Sequence, residues 1–234
     1  MKITGIEPIL AGGRYLFVKV HTDGGLVGLG ECGAWAYQEA TVSVLKQMEK
    51  MIVGQDPLRT EFIWNALSRN LHFRGSVTQS ALSGIDIALW DLKAKVAGMP
   101  LYKLLGGVRT RLECYVAGGY YAPDKTILDL QHEMELYLSW NAKAVKMKVG
   151  GMSPQEDAKR VHAVREVIGP DVKLLVDANC AWKLNEATEF AKRVEEDMLY
   201  WFEEPLDALD FDGFKKLSRN TWIPLAAGES LQGL

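Results

Sequence analysis

The chain has 234 residues, of which 48% are hydrophobic and 24% are charged, a composition that excludes a disordered or fibrous protein. Its formal net charge of −3 gives no diffuse cationic field, so we expect neither nucleic acid nor a membrane surface as a partner. No apolar run reaches the roughly 18 residues of a membrane span, and the first ten residues lack the pattern of a secretory signal. We therefore expect a cytoplasmic protein.

The cysteine pattern argues against both a disulfide framework and a zinc site. Cys32, Cys114 and Cys180 are odd in number, lie far apart, and have no Cys or His ligand spacing around them. We expect reduced thiols that pack as small hydrophobic side chains.

Residues 1–110 are predicted to form a small α+β domain. Three runs rich in β-branched and aromatic residues, separated by turn residues, predict a hairpin or a three-stranded meander: Ile3 to Leu10, Tyr15 to His21, and Leu26 to Gly30. Helical spacing of apolar residues then predicts three helices. They cover Tyr37 to Val53, a segment with Phe62, Ile63, Leu67 and Leu71 on one face, and Val77 to Val96.

Residues 111–234 alternate short apolar strands with amphipathic helices, which is typical of βα units and a parallel sheet. The predicted strands are Cys114 to Ala117, Ala144 to Val149, Val172 to Val176, Leu199 to Phe202, and Ile223 to Ala226. The predicted helices begin near Asp124, Ser153, Asn185 and Asp210.

Charged residues near the ends of these strands recur at similar intervals. Lys148 and Asp177 are 29 residues apart, and steps of 26 residues lead to Glu203 and then to Glu229. A barrel uses roughly 31 residues for each βα unit. If each residue closes its strand, all four side chains gather at the carboxyl ends of the strands, where such barrels carry their chemistry.

Three carboxylates converging on one volume would repel one another unless a cation lies among them. Dispersed carboxylate oxygens without Cys or His partners favour a hard divalent ion, so we expect Asp177, Glu203 and Glu229 to bind Mg²⁺. The alternative is that each acid caps the following helix or forms a local ion pair.

The strand Ala144 to Val149 alternates apolar and basic residues with period two. Lys146 and Lys148 share one face, which points to the barrel interior if Val145, Met147 and Val149 meet the helices. Two close ammonium groups would depress the pKa of at least one lysine and make it a base near neutral pH. The alternative is an ordinary strand with one solvated face.

Together these motifs resemble the enolase superfamily, in particular its mandelate racemase/muconate lactonizing enzyme family, over the whole chain. Two long patterns carry the resemblance, one over residues 81–107 and one joining residues 176–179 to Glu203-Glu204-Pro205. Phe202 stands where a small aliphatic residue is more usual. Gly228-Glu229-Ser230 adds a shorter match.

The resemblance implies an N-terminal capping domain followed by a (β/α) TIM-type barrel, with the loop from about Ala11 to Gly33 helping to enclose substrate. It implies that Asp177, Glu203 and Glu229 are the metal ligands, that Lys148 is the base, and that Lys146 assists it. Three further expectations follow from where residues stand within the pattern that this resemblance implies. Asn179 either donates a hydrogen bond to substrate or forms a turn, Glu204 is a structural partner, and Glu31 and Trp35 either contact substrate or lie exposed in a loop.

The sequence also departs from the family in the extent of its barrel. We count five strands, with the barrel truncated after the fifth, and expect a fragment of a longer protein. The family's racemase-like subgroup uses a histidine on a later strand, a role that no histidine of this chain can fill because all precede Glu229. We expect these histidines at the surface or packed in the cap: His21, His72, His132 and His162.

The leading functional hypothesis is Mg²⁺-dependent removal of the proton α to a carboxylate, in an acid-sugar dehydratase or a 2-hydroxyacid racemase. A muconate-cycloisomerase-like enzyme or an amino-acid racemase or epimerase is the alternative within the family. An inactive fragment or a metal-binding scaffold is the alternative from another class. The expected partner is a small carboxylate, and the resemblance suggests a homo-oligomer.

Overall fold

The computed structural model describes residues 1–33, 35–69 and 75–231, which form two compact units, Met1–Thr110 and Arg111–Leu231. Leu71 and His72, which were singled out in the sequence, lie outside the described residues. Among the described helices, none combines the length and the apolar character that a membrane crossing requires.

The first unit is an antiparallel meander followed by helices, as predicted. Its sheet has the order β1 (Ile3–Ala11), β2 (Tyr15–Thr22), β3 (Val27–Cys32). The helices are α1 (Gln38–Ile52), α2 (Thr60–Arg69), α3 (Ser76–Val96) and the single turn α4 (Leu101–Leu104). Ile63 and Leu67 of α2 are buried, whereas the prediction for Phe62 is wrong, because its ring is 45% exposed beneath the Arg59 guanidinium.

Helix α3 lies directly on strand β3 because glycines remove the side chains between them. A Cβ at Gly30 would stand 2.0 Å from the carbonyl oxygen of Gly84. The same helix satisfies the free edge of β3, since the Asp91 carboxylate accepts from the Leu29 N–H at 2.9 Å and Lys95 donates to the Val27 carbonyl at 2.7 Å. Both charged residues belong to the first family-like pattern, and here they complete the hydrogen bonds of an edge strand.

The second unit is an α/β layer with a five-stranded parallel sheet, consistent with a truncated TIM-type barrel. The sheet has the order β4 (Val116–Gly118), β5 (Ala144–Lys148), β6 (Lys173–Asp177), β7 (Leu199–Glu203), β8 (Leu225–Ala226). Between the strands lie α5 (Ile127–Ser139), α6 (Pro154–Ile168), α7 (Leu184–Arg193), a short 3-10 turn (Glu195–Asp197) and α8 (Phe211–Leu217). Ser153 and Glu156 form a capping box at the start of α6, where the sequence predicted that a helix begins.

The core of the second unit lies between the sheet and its helices. Val145, Met147 and Val149 are buried there, so the apolar face of β5 points to the helices as period two requires. Consequently the two lysines of β5 lie on the opposite face of the sheet.

The three cysteines differ in environment. Cys32 is 2% exposed, and burial together with the nearby Glu31 raises the pKa of its thiol to about 12. Cys180 is partly exposed and Cys114 is exposed. All three are free thiols, but the expectation that each packs as a small hydrophobic side chain is wrong for Cys114.

Candidate active site

Parallel pairing brings the last residues of three neighbouring strands into one row. Lys148 of β5 pairs with Asp177 of β6, and Asp177 pairs with Glu203 of β7. Because these strands are parallel, the row lies at their carboxyl ends. The structure thus brings together three of the residues that the sequence singled out.

Two ammonium groups connect the carboxylates of this row. Lys148 Nζ lies 2.7 Å from Asp177 Oδ2 and 2.6 Å from Asn179 Oδ1. Lys146 Nζ bridges two strands, at 3.2 Å from Asp177 Oδ2 and 2.9 Å from Glu203 Oε2. The side chains are shielded from solvent, from 1% exposed for Asp177 to 20% for Lys148. Two positive and two negative charges therefore balance in a partly buried row.

The pKa shifts follow from this pairing. Burial alone would raise the pKa of Asp177, but the hydrogen bond from Lys148 and the Asn179 backbone N–H lower it below its ordinary value. Burial alone would lower the pKa of Lys146, but its hydrogen bonds to Glu203 and the charge of Asp177 raise it. The predicted depression of at least one lysine pKa therefore does not occur at Lys146, because two carboxylates lie within 3.2 Å of its ammonium group.

Asn179 adopts the turn considered for it, and its side chain also contacts a lysine of the row. Its backbone is left-handed, with φ of 43°, and its N–H donates to Asp177 Oδ1 at 3.0 Å, which makes it part of the turn after β6. At the same time its side-chain oxygen contacts Lys148. The turn therefore presents the amide beside the proposed base.

Glu229 does not close its strand, contrary to the assumption made from spacing. Strand β8 ends at Ala226, and Ala226 is the residue in register with Glu203. Glu229 lies three residues further along and is exposed. It nevertheless lines the same cavity as Glu203, a space of about 230 Å³ that Tyr115 and Trp201 also line.

The site also contains aromatic residues that the sequence analysis missed. Trp201 Nε1 donates to Glu203 Oε2 at 3.0 Å, and the Tyr115 ring packs edge-on against Trp201 with its centroid 5.2 Å from Lys146 Nζ. Tyr120 lies similarly near Lys148 Nζ, at 5.7 Å. Period two along β7 places Trp201 on the same face as Glu203, so this signal was available in the sequence.

Glu204 directly follows the end of β7, and its side chain is buried. It is 3% exposed, its backbone is left-handed with φ of 40°, and Cys180 Sγ donates to its Oε2 at 3.6 Å. Among the described residues its Oε1 has no hydrogen-bond partner. Its backbone joins two neighbouring segments, since its carbonyl accepts from Cys180 N and its N–H donates to the Ala226 carbonyl.

The remaining candidates lie outside this row. In the first unit Glu31 is exposed and Trp35 is 60% exposed, with the Arg14 guanidinium 3.8 Å above its ring. His21 contacts Glu7 and His162 contacts Asp197, both at 2.8 Å or less. His132 is exposed.

The donor chemistry of the row fits a hard divalent ion. Asp177 and Glu203 already share one cation, the Lys146 ammonium, so their oxygens face a common cation-sized volume. Within the described residues, no three His, Cys, Asp or Glu side chains are grouped as a ready-made metal centre. They are not grouped because Lys146 lies between two of the acids and because Glu229 lies beyond the end of its strand.

Comparison with known proteins gives matches over both units. The family model described as mandelate racemase/muconate lactonizing enzyme, N-terminal domain, matches residues 10–106, and the one described as enolase C-terminal domain-like matches residues 129–234. An arabinonate dehydratase of Saccharolobus solfataricus is 35% identical over 91% of this chain and 58% of its own. This chain therefore spans about 58% of the length of that curated relative.

Solved structures are similar to this chain in fold and in sequence. A 3,6-anhydro-D-galactonate cycloisomerase from Zobellia galactanivorans superimposes with a TM-score of 0.91 and 36% identity, covering 98% of this chain and 66% of that one. A racemase from Streptomyces coelicolor, solved with bound magnesium, has a TM-score of 0.88 and 30% identity, covering 97% of this chain and 68% of that one.

Proposed function

Since the chain belongs to the mandelate racemase/muconate lactonizing enzyme family of the enolase superfamily, we propose that its second unit carries the site for Mg²⁺-dependent removal of a proton α to a carboxylate. The proposed substrate is an acid sugar that is then dehydrated, or a 2-hydroxyacid that is racemised. Within this proposal, residues 1–110 are the capping domain and residues 111–234 are the partial barrel.

One observation carries the proposal, namely the charge-balanced row at the carboxyl ends of β5, β6 and β7. It places two amines within 3.2 Å of carboxylates on the neighbouring strands, on the face of the sheet opposite the core. A solvated strand face or a set of helix caps would not bring side chains from three strands into contact. A lysine base with Mg²⁺ is also the arrangement known for enolase-superfamily sites.

The proposed metal ligands are Asp177, Glu203 and Glu229, whose oxygens suit Mg²⁺, and the magnesium bound by the racemase relative supports this ion. When bound, Mg²⁺ supplies positive charge that stabilises the enolate form of the substrate carboxylate. Trp201 holds the Glu203 carboxylate in place through its indole N–H.

The remaining roles belong to the amines and the amide. Lys148 Nζ takes the α-proton, for which the amine must first be neutral. Lys146, whose pKa is raised, stays charged and adds a cation beside the developing negative charge. The Asn179 amide, which touches Lys148 Nζ, orients this amine and donates from its NH₂ to a substrate oxygen.

The substrate class follows from the relatives. The arabinonate dehydratase and the 3,6-anhydro-D-galactonate cycloisomerase are both named for sugar acids, which supports a polyhydroxylated carboxylate. Proton removal beside the carboxylate is the step we assign to the residues described above. We keep self-association as a prediction from the family, which sedimentation would test.

The test is exchange of the substrate α-hydrogen in D₂O, followed by ¹H NMR over a panel of acid sugars with Mg²⁺. We expect Lys148→Ala to lower the exchange rate by at least about 10²-fold, the usual contribution of a general base. The matched control is Lys173→Ala, which removes a lysine at the opposite end of β6 that pairs with Glu113. Exchange that survives Lys148→Ala would remove Lys148 as the base. If none of the acids in the panel exchanges its α-hydrogen, the metal-binding scaffold would be favoured.

A further inference from the structure

A buried ion pair lies behind the site, on the first turns of helix α6. Asp157 is fully buried and Arg160 is 7% exposed, and Arg160 Nη1 lies 2.8 Å from Asp157 Oδ1. Burying both charges costs desolvation energy that their attraction alone does not reliably repay, so such a pair is weak evidence for a stabilising role. Its other contacts show what it holds.

Arg160 hydrogen-bonds the backbone of two neighbouring strand ends. Its Nη1 donates to the carbonyl of Lys148 at 2.9 Å, and its Nη2 donates to the carbonyl of Gly119, just after β4, at 2.8 Å. The planar guanidinium can serve these acceptors and Asp157 at once because its donors are fixed in a fork.

Asp157 holds the loop that follows Lys148. Its Oδ2 accepts from the backbone N–H of Gly150 at 2.7 Å and of Met152 at 3.3 Å. Its Oδ1 accepts from the Tyr121 hydroxyl, and the Tyr121 ring stacks against Arg160 at 4.0 Å. Burial and the hydrogen bond to Asp157 raise the pKa of Tyr121, so its hydroxyl keeps the proton that it donates.

The backbone of Lys148 is therefore fixed on both sides. Its carbonyl is bound by Arg160, and the following residue, Val149, donates to the Asp177 carbonyl at 3.0 Å. The Lys148 side chain leaves from this fixed point and places Nζ against Asp177 and Asn179. A displacement of about 1 Å in a catalytic group can cost on the order of 10² in rate.

We infer that Arg160, held by Asp157, is a positioning residue that holds the Lys148 amine where it can take the α-proton of the substrate. The inference rests on the proposed function of Lys148 as the base. It assigns a role to two buried charges that contact neither the metal-binding acids nor the face of the sheet that carries the site.

The test compares two conservative substitutions on the same helix. Arg160→Lys keeps the charge but loses the fork, while Arg165→Lys makes the same change at the other end of α6. There Arg165 donates to the Asp197, Gly169 and Val172 carbonyls and has no contact with Lys148. We expect Arg160→Lys to lower kcat for α-hydrogen exchange about 10-fold to 10²-fold with KM nearly unchanged, and Arg165→Lys to leave both unchanged.

A second readout does not depend on activity. The rate at which acetic anhydride modifies Lys148, measured by peptide mass spectrometry relative to Lys173, should rise in Arg160→Lys because Nζ loses its fixed contacts with two partners. It should stay at the wild-type value in Arg165→Lys. Equal effects of the two substitutions on both readouts, or no effect of Arg160→Lys, would overturn the inference.

These two readouts separate the failure of either proposal. If the wild-type chain exchanges no substrate hydrogen, the proposed function fails, and the Lys148 labelling alone decides the positioning role. If Arg160→Lys does not fold, Tyr121→Phe removes only one hydroxyl from Asp157 and should shift both readouts in the same direction by a smaller factor. An unchanged labelling rate in that variant would also count against the inference.

Discussion

Removal of the Asp177 charge gives the sharpest test of the charge balance in the site. Asp177→Asn keeps the shape of the side chain, which is 1% exposed, but leaves two ammonium groups with one carboxylate, Glu203. If crowded acids dominated the row, the substitution would relieve repulsion and stabilise the protein. Because Lys146 and Lys148 already pair these acids at 2.7–3.2 Å, we expect the opposite sign, a loss of stability.

The magnitude follows from burial. Removing one partner of a buried ion pair costs about 3–5 kcal/mol. The side chains of Lys146 and Lys148 are 11% and 20% exposed, so water partly compensates them. We therefore expect the lower end, about 3 kcal/mol, which corresponds to roughly 10 °C in melting temperature for a protein of this size.

The assay is urea unfolding, first with a chelator and then with Mg²⁺. A ligand that binds only the folded state at 100 times its Kd stabilises it by about 2.7 kcal/mol. The wild type should show this gain, and Asp177→Asn should lose most of it. Asp197→Asn is the matched control, because Asp197 is also buried in the second unit, at 5% exposed, but pairs with His162 and lies outside the row.

Two results would refute the reasoning. Stability of Asp177→Asn at or above the wild type in chelator would show that the lysines do not compensate the acids as the distances indicate. A full Mg²⁺ response in that variant would exclude Asp177 as a metal ligand. The control should keep its Mg²⁺ response even though it also loses stability.

Three further predictions test packing, pH dependence and metal binding. Gly30→Ala places a Cβ 2.0 Å from a backbone carbonyl of α3 and should cost about 3 kcal/mol or more in urea unfolding, whereas Gly33→Ala, with no atom within 4 Å, should cost little. Burial alone would raise the pKa of Glu133, but its hydrogen bonds lower it below the ordinary value of 4.5. The stabilisation from this carboxylate is therefore present above pH 4.5 and is lost as the pH falls. Melting curves of Glu133→Gln should lack this loss. Trp201→Phe should weaken Mg²⁺ binding about ten-fold by calorimetry, because Glu203 loses its indole donor.

Much of the fold could be predicted because periodicity is a local property. Period two identified the strands, helical spacing identified the helices, and both survive folding because side chains alternate in fixed ways along each element. The row of Lys148, Asp177 and Glu203 followed from counting residues between parallel strands. The same count wrongly placed Glu229 at a strand end, because Ala226 is the residue in register with Glu203 and Glu229 lies in the segment after β8.

The sequence by itself identified the side chains that we propose for the chemistry: two lysines on one face of a strand and carboxylates at the ends of the next two. Only the tertiary structure decided how these charges pair, as in the raised pKa of Lys146, because electrostatic shifts depend on distances of a few ångströms. Only the tertiary structure also showed that Arg160 and Asp157 form hydrogen bonds to the backbone at and after Lys148. Their partners there are backbone carbonyls and N–H groups, which do not depend on side-chain type, so no pattern of residue types could reveal that contact.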